Sequence, residues 1–303
     1  MPVRQLISIR DLSAQDVTEI FDLAVDVKSS PEKYRNSLSR STIGLLLDGP
    51  STRTRTSFLA GVHQMGGVAL QLDTGDLHLG SGESAADTGK TLAQYLDGIV
   101  ARLETHADLV ELSRACAIPV VNGRTDLLHP CQALADFFTL RERGGELAGK
   151  KVAYVGDGGS ICHSLIYGAI KSGMHISVAT PESRQPKGII VKSANREASS
   201  AGLSVEIHSD PSEAVRGACA VVTAGWERGA SEDVRKALAP FRVDGALMEQ
   251  AEPDALFLHP LPAARGQEVA ADVIDGAQSV VFEQAHNRLH VQKAILCALV
   301  AGG

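Results

Sequence analysis

Short apolar runs alternate with amphipathic stretches along most of the chain. The runs TIGLLL at 42–47 and KVAYV at 151–155 are bounded by Ser, Asp, Lys and Gly, which is typical of strands buried in a parallel sheet. In residues 13–27 the hydrophobic positions recur at helical spacing and Ser13 stands where an N-cap belongs, so this segment predicts a helix. Strands that alternate with helices in this way predict an α/β fold built around mostly parallel sheets.

The same alternation continues to the C-terminus and predicts further elements. Predicted strands fall at 67–72, 98–102, 119–121, 175–179, 220–224 and 256–258. Predicted helices fall at 51–65, 87–96, 125–143, 162–172 and 287–300. A chain of 303 residues has room for about two domains. The polar, turn-rich segment RGGELAGK at 143–150 predicts their boundary, so we expect one domain over 1–143 and another over 144–286.

Composition narrows the classes of function. Lys and Arg number 29 against 36 Asp and Glu, a net charge of −7, so no overall basic field draws the chain to nucleic acid or to an anionic membrane. Aromatic residues make up only 4%, which argues against a stacking surface for single-stranded nucleic acid. No apolar run reaches the roughly 18 residues of a membrane span, and no signal-peptide core is visible. The five cysteines include no CxxC pair, so we expect reduced thiols, a cytoplasmic location and no metal site.

The most informative segment is LLLDGPSTRTRTSF at 45–58, where a predicted strand runs through a turn into a predicted helix. Backbone N–H groups at a helix start lack intrahelical acceptors and point toward an anion. Ser51, Thr52 and Thr54 add hydroxyl donors. Arg53 adds a planar guanidinium that matches phosphate oxygens. This pattern predicts an anion site, although a helix cap followed by solvated arginines fits the same letters.

A second candidate is HPCQ at 129–132, which follows NGRTD at 122–126 and opens a predicted helix. His129 can polarise a carbonyl and Gln132 can bind an amide, whereas a buried capping histidine is the simpler alternative. Cys131 has no evident base partner, so packing is a better interpretation than nucleophilic catalysis.

Two loops rich in Gly or Pro follow predicted strands in the second half. VGDGGS at 155–160 resembles a dinucleotide turn, but its spacing is not GxGxxG and no acidic residue closes the next predicted strand. We therefore expect no NAD and no other cofactor, and interpret the turn as a substrate loop at the carboxyl ends of strands. HPLPA at 259–263 has two prolines that stiffen it and leave backbone carbonyls facing a ligand, or it is a rigid connector. Arg288, at the start of the last predicted helix, faces either solvent or a phosphate.

Taken in order, these segments resemble the aspartate/ornithine carbamoyltransferase family, with ornithine carbamoyltransferases the nearest pattern. STRTR, LHLGSGES, NGRTDLLHPCQALADFF, VGDG, HPLPA and HNRLHVQKA all stand where that family has its motifs, along nearly the whole chain. The resemblance implies two parallel-sheet Rossmann-like domains, the first binding carbamoyl phosphate and the second an amine acceptor. It implies that the C-terminal helix, 287–303, completes the first domain. It also implies a homotrimer whose active sites are shared between subunits.

The resemblance further implies roles for individual residues. Those implied to bind carbamoyl phosphate are Ser51, Thr52, Arg53, Thr54, His78, Arg102, His129, Gln132, Leu261 and Arg288. The implied catalytic group is Arg53, Thr54, Arg102 and His129. His78 would reach in from a neighbouring subunit, and the Leu261 carbonyl would accept from the carbamoyl NH2. Carbamoyl phosphate is a dianion with a good leaving group, so positioning and fixed charge suffice for attack by an amine.

The acceptor half departs from the ornithine pattern. The positions implied to contact the acceptor are Asn122, Ser160, Ala224, Arg228 and Pro260. Ser160 stands in place of an Asn, Ala224 in place of an Asp, and Pro260 in place of a Cys. Loss of a buried charged partner typically costs several kcal/mol of binding. Arg228 either adds a cation for an acceptor carboxylate or is a solvated loop residue. In the first half, Arg124 and Leu59 replace an expected Leu and Glu.

These departures predict a carbamoyltransferase whose acceptor is not ornithine but a small amino-acid-like amine, with the shorter diamino acid 2,3-diaminopropionate as an example. Its products would be a ureido compound and phosphate. Aspartate is also disfavoured, because the Arg expected at position 160 is a Ser. Three alternatives stay open: a genuine ornithine carbamoyltransferase making citrulline, a non-catalytic homologue that binds carbamoyl phosphate, and a dinucleotide-dependent oxidoreductase.

Overall fold

The alternating strands and helices assemble into two parallel α/β units. The structure, a computed structural model, describes residues 5–77, 82–226 and 231–301. One compact unit runs to Leu134 and resumes at Asn287, and the other runs from Ala135 to His286. The α/β class with two parallel-sheet domains is confirmed. The domain boundary expected between residues 143 and 144 stays a prediction.

In the described part of the first unit, the sheet has the strand order β2-β1-β3-β4. Its strands are β1 Thr42–Leu47, β2 Val68–Asp73, β3 Gly98–Arg102 and β4 Val120–Arg124. The helices that begin here are α1 Ala14–Ser29, α2 Pro31–Tyr34, α3 Thr52–Gln64, α4 Ala85–Leu92, α5 His106–Ala115 and α6 Pro130–Gly144. Because β2 and β3 lie on opposite sides of β1, the strand order reverses there, and such a switch point favours ligand binding at the carboxyl ends of β1 and β3.

In the described part of the second unit, the sheet has the order β7-β6-β5-β8-β9. Its strands are β5 Lys151–Val155, β6 His175–Ala179, β7 Val205–His208, β8 Ala220–Val222 and β9 Leu256–Leu258. The helices that begin here are α7 Ser160–Lys171, α8 Gly188–Ser200, α9 Pro211–Val215, α10 Glu232–Leu238, α11 Gly245–Met248, α12 Ala271–Ile274 and α13 Val281–Leu296. The strand order reverses between β5 and β8, which marks the corresponding switch point.

Helix ends show where local sequence decides the structure. The Ser13 hydroxyl accepts from the Asp16 N–H at 3.1 Å, while the Asp16 carboxylate accepts from the Ser13 N–H at 2.8 Å, so α1 starts with the expected cap. The last long helix was expected to start at Asn287, and this is wrong, because α13 already begins at Val281. Asn287 does not cap a helix; its Oδ1 accepts from Lys28 Nζ at 2.8 Å.

The expectations about membrane spans, cysteines and metal sites can be compared with the structure. No helix in the described ranges is long and apolar enough to cross a membrane, and the cytoplasmic location stays a prediction. All five cysteines are free thiols. Across the described residues, no three His, Cys, Asp or Glu side chains are grouped so as to hold a metal ion.

Candidate active site

The STRTR segment lies at the switch point of the first sheet. Leu47 at the end of β1 pairs in register with Arg102 at the end of β3, so the loop after β1 and the Arg102 side chain share one edge. The N-cap Ser51 does not cap α3 with its side chain, and its hydroxyl instead accepts from Arg102 Nη1 at 3.2 Å. The first-turn N–H groups of α3 are therefore oriented to receive an anion, next to an arginine.

Arg288 joins this helix start to two other segments. Its side chain is buried, with the residue only 4% exposed. Its Nη1 donates to Gln132 Oε1 at 2.8 Å, and its Nη2 donates to Thr54 Oγ1. The structure thus brings together three residues that the resemblance assigns to carbamoyl phosphate, from α3, α6 and α13. Two neutral acceptors orient the planar guanidinium without cancelling its charge, which suits it to bind oxyanions.

His129 is a neutral donor close to this cluster. It is buried immediately before α6. Burial is the main cause that holds the pKa of its imidazole well below 6.5, and the charge of Arg288 adds to the effect. The charges of Arg124 and Arg102 act in the same direction. A neutral imidazole offers one N–H donor, so His129 can donate a hydrogen bond to a negatively charged oxygen while it remains uncharged itself.

Arg124, for which the sequence predicted no role, lines a cavity together with Arg102. A cavity of about 280 Å³ at the carboxyl ends of β3 and β4 is lined by Arg102 and Arg124 together with Asp48, Glu104 and Asp126. Desolvation lowers the pKa of both arginines, and the Arg124 charge lowers that of Arg102 further. The sequence carried no such signal, because the predicted strand ended at residue 121, whereas β4 extends to Arg124. A larger groove of about 710 Å³ along α4 and α5 lies away from these residues.

Replacing Arg124 with leucine should weaken binding of inorganic phosphate roughly 10- to 100-fold, because a charge-assisted hydrogen bond contributes about 1.5–3 kcal/mol. The unliganded protein should become more stable, since a cation that repels Arg102 is removed. Calorimetric titration and thermal unfolding measure the two effects. Arg124→Lys, which keeps the charge, is the control. Unchanged phosphate affinity in Arg124→Leu would exclude the guanidinium from the anion site.

The second unit places its Gly- and Pro-rich loops side by side. Strands β5, β8 and β9 are neighbours, so the loops that follow them, 156–160, 223–226 and 259–263, lie at one sheet edge. The Thr223 hydroxyl donates to the Val155 carbonyl at 2.6 Å and ties the first two strand ends together. Ser160 opens α7 and is buried, as are Ala224 and Pro260. Three predicted acceptor positions therefore share this edge.

The turn after β5 is held by the segment that follows β6. Asp157 forms a two-pronged ion pair with Arg184, with Nε–Oδ1 at 3.1 Å and Nη2–Oδ2 at 2.6 Å. The Gly158 N–H donates to the Arg184 carbonyl at 2.9 Å. A Cβ on Gly158 would lie 2.4 Å from that carbonyl oxygen and 2.4 Å from Pro186 N, so only glycine fits. Asp157, the acidic residue of the turn, therefore has a structural role in its ion pair with Arg184.

Other predicted positions are less directly related to the site. His78 and Arg228 lie outside the described residues. Asn122 is buried in β4, where its amide donates to the Ile7 carbonyl at 2.9 Å. Cys131 is buried, its thiol donates to the Asn122 carbonyl at 3.4 Å, and burial raises its pKa to about 12, so packing is its role. Leu261 is half-buried and adopts a φ of +52°.

Comparisons with known proteins cover nearly the whole chain. The family model "Aspartate/ornithine carbamoyltransferase, carbamoyl-P binding domain" matches residues 4–142, and the "Asp/Orn binding domain" model of that family matches 148–299. A relative from Symbiobacterium thermophilum named ornithine carbamoyltransferase is 46% identical over 304 residues, covering 98% of each chain. The structure titled ornithine carbamoyltransferase from Pyrococcus furiosus superposes with a TM-score of 0.95 at 42% identity, covering 99% of this chain and 97% of its own. That from Thermus thermophilus gives 0.90 at 36% identity, covering 99% and 100%.

These findings overturn the prediction of a non-ornithine acceptor such as 2,3-diaminopropionate. Relatives that are 42% to 46% identical over nearly full length, the second unit included, are named ornithine carbamoyltransferase. The prediction rested on a few single positions, Ser160, Ala224, Arg228 and Pro260, and assumed that each missing partner leaves its contact unmade. Similarity across the whole acceptor half outweighs that assumption, and the chain, a carbamoyltransferase enzyme, belongs to the aspartate/ornithine carbamoyltransferase family.

Proposed function

We propose that this enzyme is an ornithine carbamoyltransferase, which transfers the carbamoyl group of carbamoyl phosphate to the side-chain amine of ornithine and yields citrulline and phosphate. The observation that carries the proposal is the contact of Arg288 with Thr54 and Gln132 beside the start of α3. The names of the relatives support ornithine as the acceptor.

The reaction depends on positively charged and N–H groups that are in place before the amine attacks. The N–H groups of α3, Arg53, Arg102 and Arg288 would bind the phosphate dianion. The ornithine amine attacks the carbonyl carbon, so a C–N bond forms and negative charge develops on the carbonyl oxygen. His129, Thr54 and Arg102 would donate to that oxygen. The bond to the phosphate oxygen then breaks, and the departing phosphate takes the amine proton.

The proposed acceptor site differs from the ornithine pattern in its side chains. It uses the loops after β5, β8 and β9 of the second unit, with Ser160, Ala224, Pro260 and Arg228 as proposed contacts. Asn122, in β4 of the first unit, stays a separate prediction. Ser160 and Ala224 bring smaller groups than the Asn and Asp of the pattern. We infer that backbone groups and Arg228 make some of the contacts with ornithine that the Asn and Asp side chains would make.

We also infer a homotrimer with shared active sites. Strand β2 is an edge of its sheet in the described part of the unit, and its Val68 and Leu70 are 62% and 46% exposed. Apolar side chains two residues apart on an unpaired edge favour contact with another copy. His78 follows this strand closely in the chain, which suits its proposed reach into a neighbouring subunit.

Incubation with carbamoyl phosphate and ornithine should produce citrulline and phosphate in equal amounts, with saturation in both substrates. Colorimetric detection of the ureido product against time measures the rate. A parallel reaction with 2,3-diaminopropionate is the matched comparison, and ornithine should give the larger kcat/KM. Tight binding of carbamoyl phosphate without citrulline at any ornithine concentration would contradict the proposal.

A further inference from the structure

A buried pair joins His259, the first residue of the HPLP loop of the second unit, to Glu268, and it has no part in the chemistry above. The side chains of His259 and Glu268 are 0% and 1% exposed, and His259 Nε2 lies 3.1 Å from Glu268 Oε1. The backbone N–H of His259 donates to Gln284 Oε1 at 2.9 Å, and Gln284 Nε2 donates to Asp136 Oδ1 at 2.6 Å. Two pairs of buried polar side chains, His259 with Glu268 and Gln284 with Asp136, are thus linked through the His259 backbone, and such networks fix geometry in a low-dielectric interior.

The hydrogen bonds determine which nitrogen of His259 carries the proton. The backbone N–H of Leu261 donates to His259 Nδ1 at 2.8 Å, so Nδ1 is the acceptor and carries no hydrogen. The proton of the neutral ring is then on Nε2, which donates to the Glu268 carboxyl oxygen. Glu268 therefore selects the tautomer that lets the imidazole hold Leu261.

The backbone of the loop depends on this pair at two points. Leu261 has a φ of +52°, a conformation that bulky residues adopt only where their surroundings impose it. The bond to His259 fixes its N–H, and its side chain packs against the core of the unit. Glu268 Oε1 also accepts from the Ala264 N–H at 2.6 Å. The pair thus holds the backbone on both sides of residues 262 and 263.

We propose that His259 and Glu268 are positioning residues for carbamoyl recognition, acting through the Leu261 carbonyl. The inference rests on the proposed function, in which that carbonyl accepts from the carbamoyl NH2. Acetyl phosphate has the shape and phosphate of carbamoyl phosphate, but it carries a methyl group where the NH2 stands. A correctly aimed carbonyl therefore favours the carbamoyl compound over the acetyl compound, and a misdirected one does not.

The test compares the affinities of three ligands in the absence of any amine acceptor. Calorimetric titration with carbamoyl phosphate, acetyl phosphate and inorganic phosphate is carried out on the full chain. The unmodified protein should prefer carbamoyl over acetyl phosphate by about tenfold, the equivalent of one hydrogen bond. His259→Leu should lose this preference and keep its affinities for acetyl phosphate and phosphate. His259→Asn, whose amide oxygen replaces Nδ1 as the acceptor, should recover most of the preference.

A second pair of variants makes the comparison independent of His259. Glu268→Gln keeps an oxygen acceptor for Nε2 and for the Ala264 N–H and should retain the preference, whereas Glu268→Leu should lose it. If His259→Leu does not fold, this pair carries the test. An unchanged preference in His259→Leu or Glu268→Leu overturns the proposal. Equal losses for all three ligands without rescue by the conservative variants also overturn it, because they indicate a purely structural role.

The outcome can be separated from failure of the proposed function. Citrulline formation plays no part in the binding measurement. An intact carbamoyl preference that disappears in His259→Leu, in a protein that does not turn over ornithine, supports the positioning role and counts only against the acceptor. A protein that binds carbamoyl phosphate no better than acetyl phosphate overturns the positioning role.

Discussion

Arg288→Met should lower kcat/KM for carbamoyl phosphate roughly 10³-fold, the largest effect expected for a single substitution in this protein. The substitution removes a buried cation and leaves Gln132 Oε1 and Thr54 Oγ1 without the donor that orients them. Truncating a buried, hydrogen-bonded charge typically costs several kcal/mol of binding. Initial rates of citrulline formation, together with calorimetric titration of phosphate, measure the loss. Phosphate affinity should fall with it, because the dianion loses a partner in the ground state.

Two further variants show whether the guanidinium itself matters. Arg288→Lys keeps the charge but has no planar fork to reach both acceptors, so its rate should lie between those of Arg288→Met and the unmodified protein. Arg35→Met, which removes an arginine with a 67% exposed side chain from the same unit, should leave the rate unchanged. Phosphate binding within threefold of normal in Arg288→Met would remove Arg288 from the proposed anion site.

The parts of the fold that the sequence predicted best are those that local physics determines. Strand β1 was predicted residue for residue, because Ile43 to Leu47 are buried throughout, as in the central strands of parallel sheets. Helix α5 lies outside the predicted elements, since only Leu109, Leu112 and Ser113 are buried along it. Strand β7 was also missed, because it is an edge strand on which only Val205 is buried. Weak burial leaves little periodic signal in the sequence.

The candidate site shows the same division between local and distant information. A candidate anion site at the start of α3 could be predicted from STRTR, because a helix N-terminus next to arginine is a local anion-binding arrangement. The contact of Arg288 with Thr54 spans 234 positions of sequence, and no local pattern indicates it; it came from the family resemblance. The roles of Arg124 and of the His259–Glu268 pair came from neither source. They depend on which side chains meet at a sheet edge, and that is visible only in the folded structure.

His129→Asn should lower kcat roughly 10²- to 10³-fold, the effect of removing one hydrogen-bond donor from a developing oxyanion. The phosphate contacts remain, so affinity for inorganic phosphate should change little. This difference separates His129 from Arg288, whose loss weakens both. Rates of citrulline formation at saturating substrates and phosphate titrations of the same preparation provide the measurement. A kcat within threefold of normal would contradict the assignment.

The same variant tests whether the donor is the neutral imidazole. Since the pKa of His129 is held well below 6.5 in the folded protein, the unfolded chain takes up a proton as pH falls below about 6.5 while folded His129 does not. The free energy of unfolding therefore falls as the pH decreases from 7 to 5, and His129 contributes to that fall because only the unfolded chain takes up its proton. In urea unfolding at fixed protein concentration, the free energy of unfolding of His129→Asn should fall less between pH 7 and pH 5 than that of the unmodified protein.

A matched control isolates His129 from the other histidines. His63 is exposed in the last turn of α3, so His63→Asn should follow the pH dependence of the unmodified protein. If His129→Asn also followed it, the imidazole would take up its proton in the folded state as readily as in the unfolded state. It would then be a cation at mildly acidic pH near Arg102, Arg124 and Arg288. Stabilisation of the negative charge on the carbonyl oxygen would then have to come from the arginines alone. A pH dependence that differs between the two variants instead supports a neutral donor held next to fixed positive charges, so that neither proton uptake nor reorientation is needed when the amine attacks.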